Sequence, residues 1–107
     1  MIETENRRAG RHRTRLRPAK LLSADRRFVG DCAIVDRSGS GARIRLLDAI
    51  DEMPTALNLY DETERVLHLV RTVWNRNGQA GLAFDGQPQD VDTIEAERIA
   101  GRYYAIR

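Results

Sequence analysis

The sequence predicts an all-β domain, an antiparallel barrel or sandwich, on three observations. Short apolar segments recur at close intervals between Leu16 and Phe84, and several of them alternate with period two. The joints between segments are turn-forming, with Gly39-Ser40-Gly41 and Asn75-Arg76-Asn77-Gly78 the clearest. No helical pattern separates the segments, so the crossover helices that a parallel sheet requires are lacking and consecutive strands must run antiparallel.

Taken in order, Leu16 to Leu22 forms a first strand, Asp25-Arg26-Arg27 a polar turn, and Val29 to Val35 a second strand. After the glycine turn, Ala42, Ile44 and Leu46 alternate with Arg43, Arg45 and Leu47, as in a strand with one face buried. Leu57 and Leu59 alternate with Asn58 and Tyr60 in a fourth segment. A longer stretch from Arg65 to Trp74, rich in Val, Leu and Thr, is the fifth strand, and the Asn77-Gly78 pair turns it back into Gly81-Leu82-Ala83-Phe84, the sixth. One short helix over about 90–100 follows. Its acids lie at the start, Arg98 and Arg102 lie near the end in agreement with the helix dipole, and Gly101 is a stop. Its apolar stripe of Val91, Ile94 and Ile99 is thin, which seats it on the barrel surface and permits a monomer or a weak dimer.

Residues 1–15 carry almost no apolar side chains and are expected to form a flexible, arginine-rich arm ahead of a single domain over 16–107. A chain of 107 residues buries enough surface for one modest core and leaves no room for a second domain. No apolar run is long enough to span a bilayer, and the first residues lack the apolar core of a secretory signal, so a cytoplasmic protein is expected. One cysteine, Cys32, forms no internal disulfide, and with His12 and His68 far apart in sequence it makes no zinc set. Cys32 and His68 are expected to be ordinary strand residues, and no metal is expected. Charge is unevenly spread. Residues 1–27 carry nine basic side chains against three acidic ones, a net of +6, so residues 28–107 carry −4. Seventeen of the eighteen basic residues are arginine, which offers a planar two-pronged donor for phosphates and bases where lysine offers a point charge.

Two clusters carry the candidate chemistry. Arg7, Arg8 and Arg11 stand on the arm. Arg7 and Arg11 keep a four-residue spacing, and Arg8 with His12 or Arg13 gives a second register nearer the first strand. Asp36, Ser38, Gly39 and Gly41 stand at the end of the second strand and in the turn after it. Together they match a cyclic guanine dinucleotide. Arginine grips guanine O6 and N7, stacks on the ring or binds phosphate, Asp36 accepts from N1 and N2, and the Ser38 hydroxyl donates or accepts. Gly39 and Gly41 are expected to let the backbone reach positive φ and come close to the ligand.

Arg7-xxx-Arg11, Asp36-x-Ser38-x-x-Gly41 and the run Gly41-Ala42-Arg43-Ile44 resemble the motifs of the PilZ domain family, the bacterial receptor modules for cyclic di-GMP. Val73-Trp74 and Gly81-Leu82-Ala83-Phe84 resemble that family's last barrel strands, so the likeness covers about residues 6–86. Arg37 departs from the family, which commonly has an apolar residue there. The resemblance implies a six-stranded antiparallel barrel, an N-terminal arm that folds over the ligand, and a C-terminal helix. It also implies a non-enzymatic effector, holding cyclic di-GMP and no other cofactor, that signals to a protein partner controlling motility, biofilm or exopolysaccharide.

Other readings of the same residues are a nucleotide-independent interaction module of this fold and a nonspecific nucleic-acid binder. Against the latter, aromatic residues make up 6% of the chain and none lies in the arm, so stacking platforms are scarce. A hydrolase triad of Ser38, His68 and Asp36 lacks the sequence around the serine that exposes a nucleophile, and Gly39-Ser40-Gly41 is too short for a phosphate loop. Trp74 is a core or rim aromatic, with stacking near the ligand as its functional alternative.

Overall fold

A computed structural model describes residues 16–92 and 95–99. The arm of residues 1–15, with Arg7, Arg8 and Arg11, lies outside the described residues, as do Ile94 and the end of the expected helix beyond Ile99.

Among the described residues seven strands form: β1 (Arg17–Ser23), β2 (Phe28–Arg37), β3 (Gly41–Leu46), β4 (Ala56–Asp61), β5 (Val66–Arg76), β6 (Gln79–Phe84) and β7 (Gln89–Asp90). The first six pair antiparallel in the order β4-β1-β2-β3-β6-β5, and a β4–β5 pairing closes the ring into a barrel. Closure follows from the length of β5. Its first half pairs with β4, Asp61 opposite Val66 through Ala56 opposite Arg71, while its second half pairs with β6. Register shifts at Leu21/Leu22, Ile34/Asp36 and Thr72/Trp74 supply the bends that let a short sheet meet itself. The β5–β6 hairpin turns on Asn77 (φ 55) and Gly78 (φ 75), the two left-handed residues of a type I′ turn. β7 is a two-residue strand on β5 that the sequence pattern does not announce.

The interior is lined by alternate residues of each strand, among them Leu21, Cys32, Ile34, Ile44, Leu57, Leu59, Val70 and Leu82. A second, smaller cluster lies outside the barrel. Leu22, Tyr60 and Leu67 project outward and are covered by Ile99 of a short helix over 95–99, with Val91 and Ala96 beside them. That cover changes the reading of β4. Asn58 and Tyr60 do not face solvent as simple alternation implies, and both are buried: Ile99 of the helix covers Tyr60, and Asn58 Nδ2 donates to the Ser23 carbonyl at the end of β1 (3.0 Å).

The two ends of the barrel differ. The loop over residues 47–55, which joins β3 to β4, lays Ile50 and Met53 on the core and is tied by Asn75 Nδ2 donating to the Ile50 carbonyl (2.8 Å). Antiparallel parity puts the start of β1, the β2–β3 turn, the β4–β5 turn and the segment after β6 at the opposite end. That end is polar.

Candidate functional site

The β2–β3 turn is held by its own backbone and hydroxyls. Ser38 N donates to the Gly41 carbonyl (2.9 Å), and the Ser38 hydroxyl accepts from Ser40 N (3.2 Å) and meets the Ser40 hydroxyl at 3.2 Å. Asp36 lies just before the turn, beyond the β2 register shift, and faces outward opposite Arg43, whose Nη2 is 3.7 Å from Asp36 Oδ2. The register carries this pair across the sheet. Arg43 lies opposite Gly81 on β6, and Gly81 lies opposite Trp74 on β5. A single row on the outer face therefore reads carboxylate, guanidinium, bare backbone, indole. A shallow depression of about 400 Å³ lies along it, lined by Asp36, Ser38, Ser40, Gly41, Arg43, Trp74 and Gly81 among others.

Glycine at 81 is needed by the indole. A Cβ there would stand 2.2 Å from Trp74 Nε1, so the ring lies against the strand only because position 81 has no side chain. The Arg76 guanidinium carbon sits 5.3 Å from the centre of the Trp74 ring. For the turn glycines the structure corrects the expectation of positive φ. Among the described residues the glycines with positive φ are Gly78 and Gly86, not Gly39 or Gly41. Gly41 is required by close approach to the chain itself, since its Cβ would fall 2.2 Å from the Leu82 carbonyl oxygen. At Gly39 a Cβ would meet nothing within 4 Å, which leaves that side of the turn open.

A second constellation fills the polar end of the barrel, and sequence reasoning missed it. Arg17, Arg37 and Asp61 project inward from three strands and Glu64 reaches in from the β4–β5 turn. Asp61 is fully buried. Its Oδ1 accepts from Thr63 N (2.9 Å) and Glu64 N (3.1 Å), and its Oδ2 meets Arg17 Nη2 at 2.5 Å and Arg37 Nη1 at 3.5 Å. Arg37 holds Glu64 with both prongs (3.2 and 3.3 Å), and Arg17 Nη2 adds a third contact at 3.1 Å. These hydrogen bonds, from Arg37 first and Arg17 next, keep the Glu64 carboxyl below the usual carboxylate range. Beside them His68 is 8% exposed and stacks on Phe84 with ring centres 4.5 Å apart. Burial, and then the positive charge of Arg37, lower its pKa, so the imidazole is neutral at pH 7. The cluster opens into a cleft of about 660 Å³ whose rim includes Asp36, Ser38 and Gly39. Arg37 thus has a place of its own in this cluster.

Signals for this cluster were present. Asp61 is in phase with Leu57 and Leu59, and His68 with Val70, so period two alone turns both inward. Ser38, His68 and Asp36 border the same cleft, but the Ser38 hydroxyl is engaged by Ser40 and, among the described residues, His68 Nε2 has no hydrogen-bond partner, so no serine–imidazole pair is made. Burial pushes the Cys32 thiol up to about 12, which leaves it inert as a nucleophile at neutral pH. Among the described residues no three His, Cys, Asp or Glu side chains converge to hold a metal, and no helix is long and apolar enough to cross a membrane. The chain matches no protein-family model, no curated protein and no solved structure.

Proposed function

We propose that this protein is a PilZ-type receptor for cyclic di-GMP, with the ligand lying on the outer row Asp36–Arg43–Gly81–Trp74 beneath the arginines at 7, 8 and 11. The row is the observation that supports it. Three strand spacings separate Asp36 from Trp74, roughly 14 Å of sheet, with an acceptor at one end and a flat aromatic at the other. Asp36 accepts from guanine N1 and N2, Arg43 faces a phosphate, and a base reaching Trp74 shares the indole with Arg76 or displaces it.

Reach supports the arm's part. Arg17 opens β1 at the same end as the β2–β3 turn and pairs with Ile34, two residues before Asp36. Arg11 lies six positions before Arg17, enough chain for roughly 20 Å. The phosphates neutralise arginines that otherwise repel one another, and the docked arm presents a new surface to a protein partner in motility, biofilm or exopolysaccharide control.

Calorimetric titration with cyclic di-GMP, beside linear pGpG and GTP, tests the reading. Saturable binding of the cyclic ligand is expected, weakened by about 1–3 kcal/mol in Arg11→Ala and in Asp36→Ala. Undiminished affinity in both variants discards the site. Equal binding of linear RNA, falling steeply with salt, would instead identify a nonspecific nucleic-acid binder.

A further inference from the structure

We propose that the polar end of the barrel is a second binding site, for a small carboxylate built on an apolar ring, whose carboxylate takes the place of Glu64 between Arg17 and Arg37. The inference does not rest on the nucleotide reading.

The two acids of the cluster are held in different ways. Asp61 is fully buried and its Oδ1 is fixed by two backbone N–H donors, so it belongs to the fold. Glu64 has a side chain 44% exposed, stands on the four-residue turn between β4 and β5, and among the described residues its carboxylate is gripped only through the guanidiniums. Two prongs from Arg37 and one contact from Arg17 form a clamp shaped for a carboxylate, and a tethered side chain now occupies it. Charge selects the class of ligand. Two guanidiniums face two carboxylates here, so a monoanion that turns Glu64 out to solvent leaves the charge held between the guanidiniums unchanged, whereas a dianionic phosphate would leave an extra negative charge beside buried Asp61.

The cleft behind the clamp sets the body of the ligand. It holds about 660 Å³, within the range of small-molecule sites, and Ile34, Val66, Phe84 and Pro88 give it apolar walls. Among the described residues, His68 Nε2 and Arg17 Nε are the buried side-chain nitrogens without a hydrogen-bond partner, and both residues line this cleft. Both atoms are shut off from solvent as the cleft stands, so they mark polar groups beside it that the fold leaves unsatisfied, while the clamp itself makes the contact to a ligand. Glu64 then acts as an intramolecular competitor whose tether keeps it at high local concentration.

Titration of the full ¹⁵N-labelled chain with benzoate, 4-hydroxybenzoate and indole-3-acetate, followed by NMR, tests this. Saturable shifts at Phe84, Gly86 and the His68 imidazole are expected for at least one acid. Its affinity should rise roughly tenfold in Glu64→Gln, where the competitor has lost its charge, and fall by at least as much in Arg37→Gln. The neutral isostere 4-hydroxybenzamide should not bind. Should Glu64→Gln lose its dispersed spectrum, the comparison of acid with amide on the native chain decides alone. No saturable shift from any of the three acids in Glu64→Gln overturns the proposal. So does equal binding of acid and amide, or binding of inorganic phosphate with none of the carboxylates. Cyclic di-GMP plays no part in these titrations, so their outcome is separate from that of the nucleotide test.

Discussion

Asp61→Asn removes one charge from the centre of the barrel-end cluster while keeping shape, and its cost is worked out from the contacts. The asparagine Oδ1 still accepts from Thr63 N and Glu64 N, so the turn keeps its anchor. What is lost is the anionic oxygen facing Arg17 and Arg37, and the amide puts donors against donors. Stripping one partner from a buried ion pair costs about 3–5 kcal/mol when the other charge is stranded. Here neither guanidinium is stranded. Both keep Glu64, and their side chains are 30% and 29% exposed, so water takes part of the loss. The expected cost is therefore about 2–3 kcal/mol, in the upper part of the range for a single charged hydrogen bond and below full stranding. Glu64→Gln, on the rim and 44% exposed, should cost less than about 1 kcal/mol. Urea denaturation monitored by fluorescence of the single tryptophan, Trp74, measures both, and scanning calorimetry should show Tm lower by roughly 10–20 °C for Asp61→Asn. Equal losses in the two variants, or a loss under about 1 kcal/mol for Asp61→Asn, would refute the assignment of Asp61 to the fold and Glu64 to the clamp.

Two further outcomes follow from the same geometry. Burial and then Arg37 lower the His68 pKa, so below its unfolded value of about 6.5 the unfolded chain takes up the proton first. Thermal stability should therefore fall as pH drops from about 7 to 5 and lose that slope in His68→Phe, while Glu64, also lowered, adds its own loss only below its unfolded value of about 4.3. An unchanged slope in the variant assigns the effect elsewhere. At the outer row, Gly81→Ala drives a methyl into the indole, so the Trp74 emission should shift and stability fall by about 1–3 kcal/mol. Gly39→Ala, where nothing stands within 4 Å, should leave both unchanged.

Local rules were legible in the sequence and long-range ones were not. Alternation at Ala42, Ile44 and Leu46 gave the inward face of β3, and Asn77-Gly78 gave the β5–β6 turn. Tyr60 misled because alternation describes a strand with one wet face, and its outer face is covered by Ile99 from thirty-nine residues away. Closure into a barrel rather than a sandwich depends on β5 serving two partners, which only its length hinted at. The glycines show the same divide. Gly41 and Gly81 carry the packing, against Leu82 and Trp74, and neither neighbour is adjacent in sequence.

Both candidate sites meet at one peptide. Asp36 and Arg37 are consecutive on an extended strand, so their side chains leave opposite faces of the sheet, the carboxylate to the outer row and the guanidinium to the barrel end. The register shift at Ile34/Asp36 sets which residue takes which face, because a shift by one position would turn Asp36 inward against the buried Asp61. That arrangement would bury two carboxylates together and leave Arg37 in solvent, with neither the row nor the clamp formed. The bulge at Val35, more than either motif, is thus the local feature on which the chemistry of both faces depends.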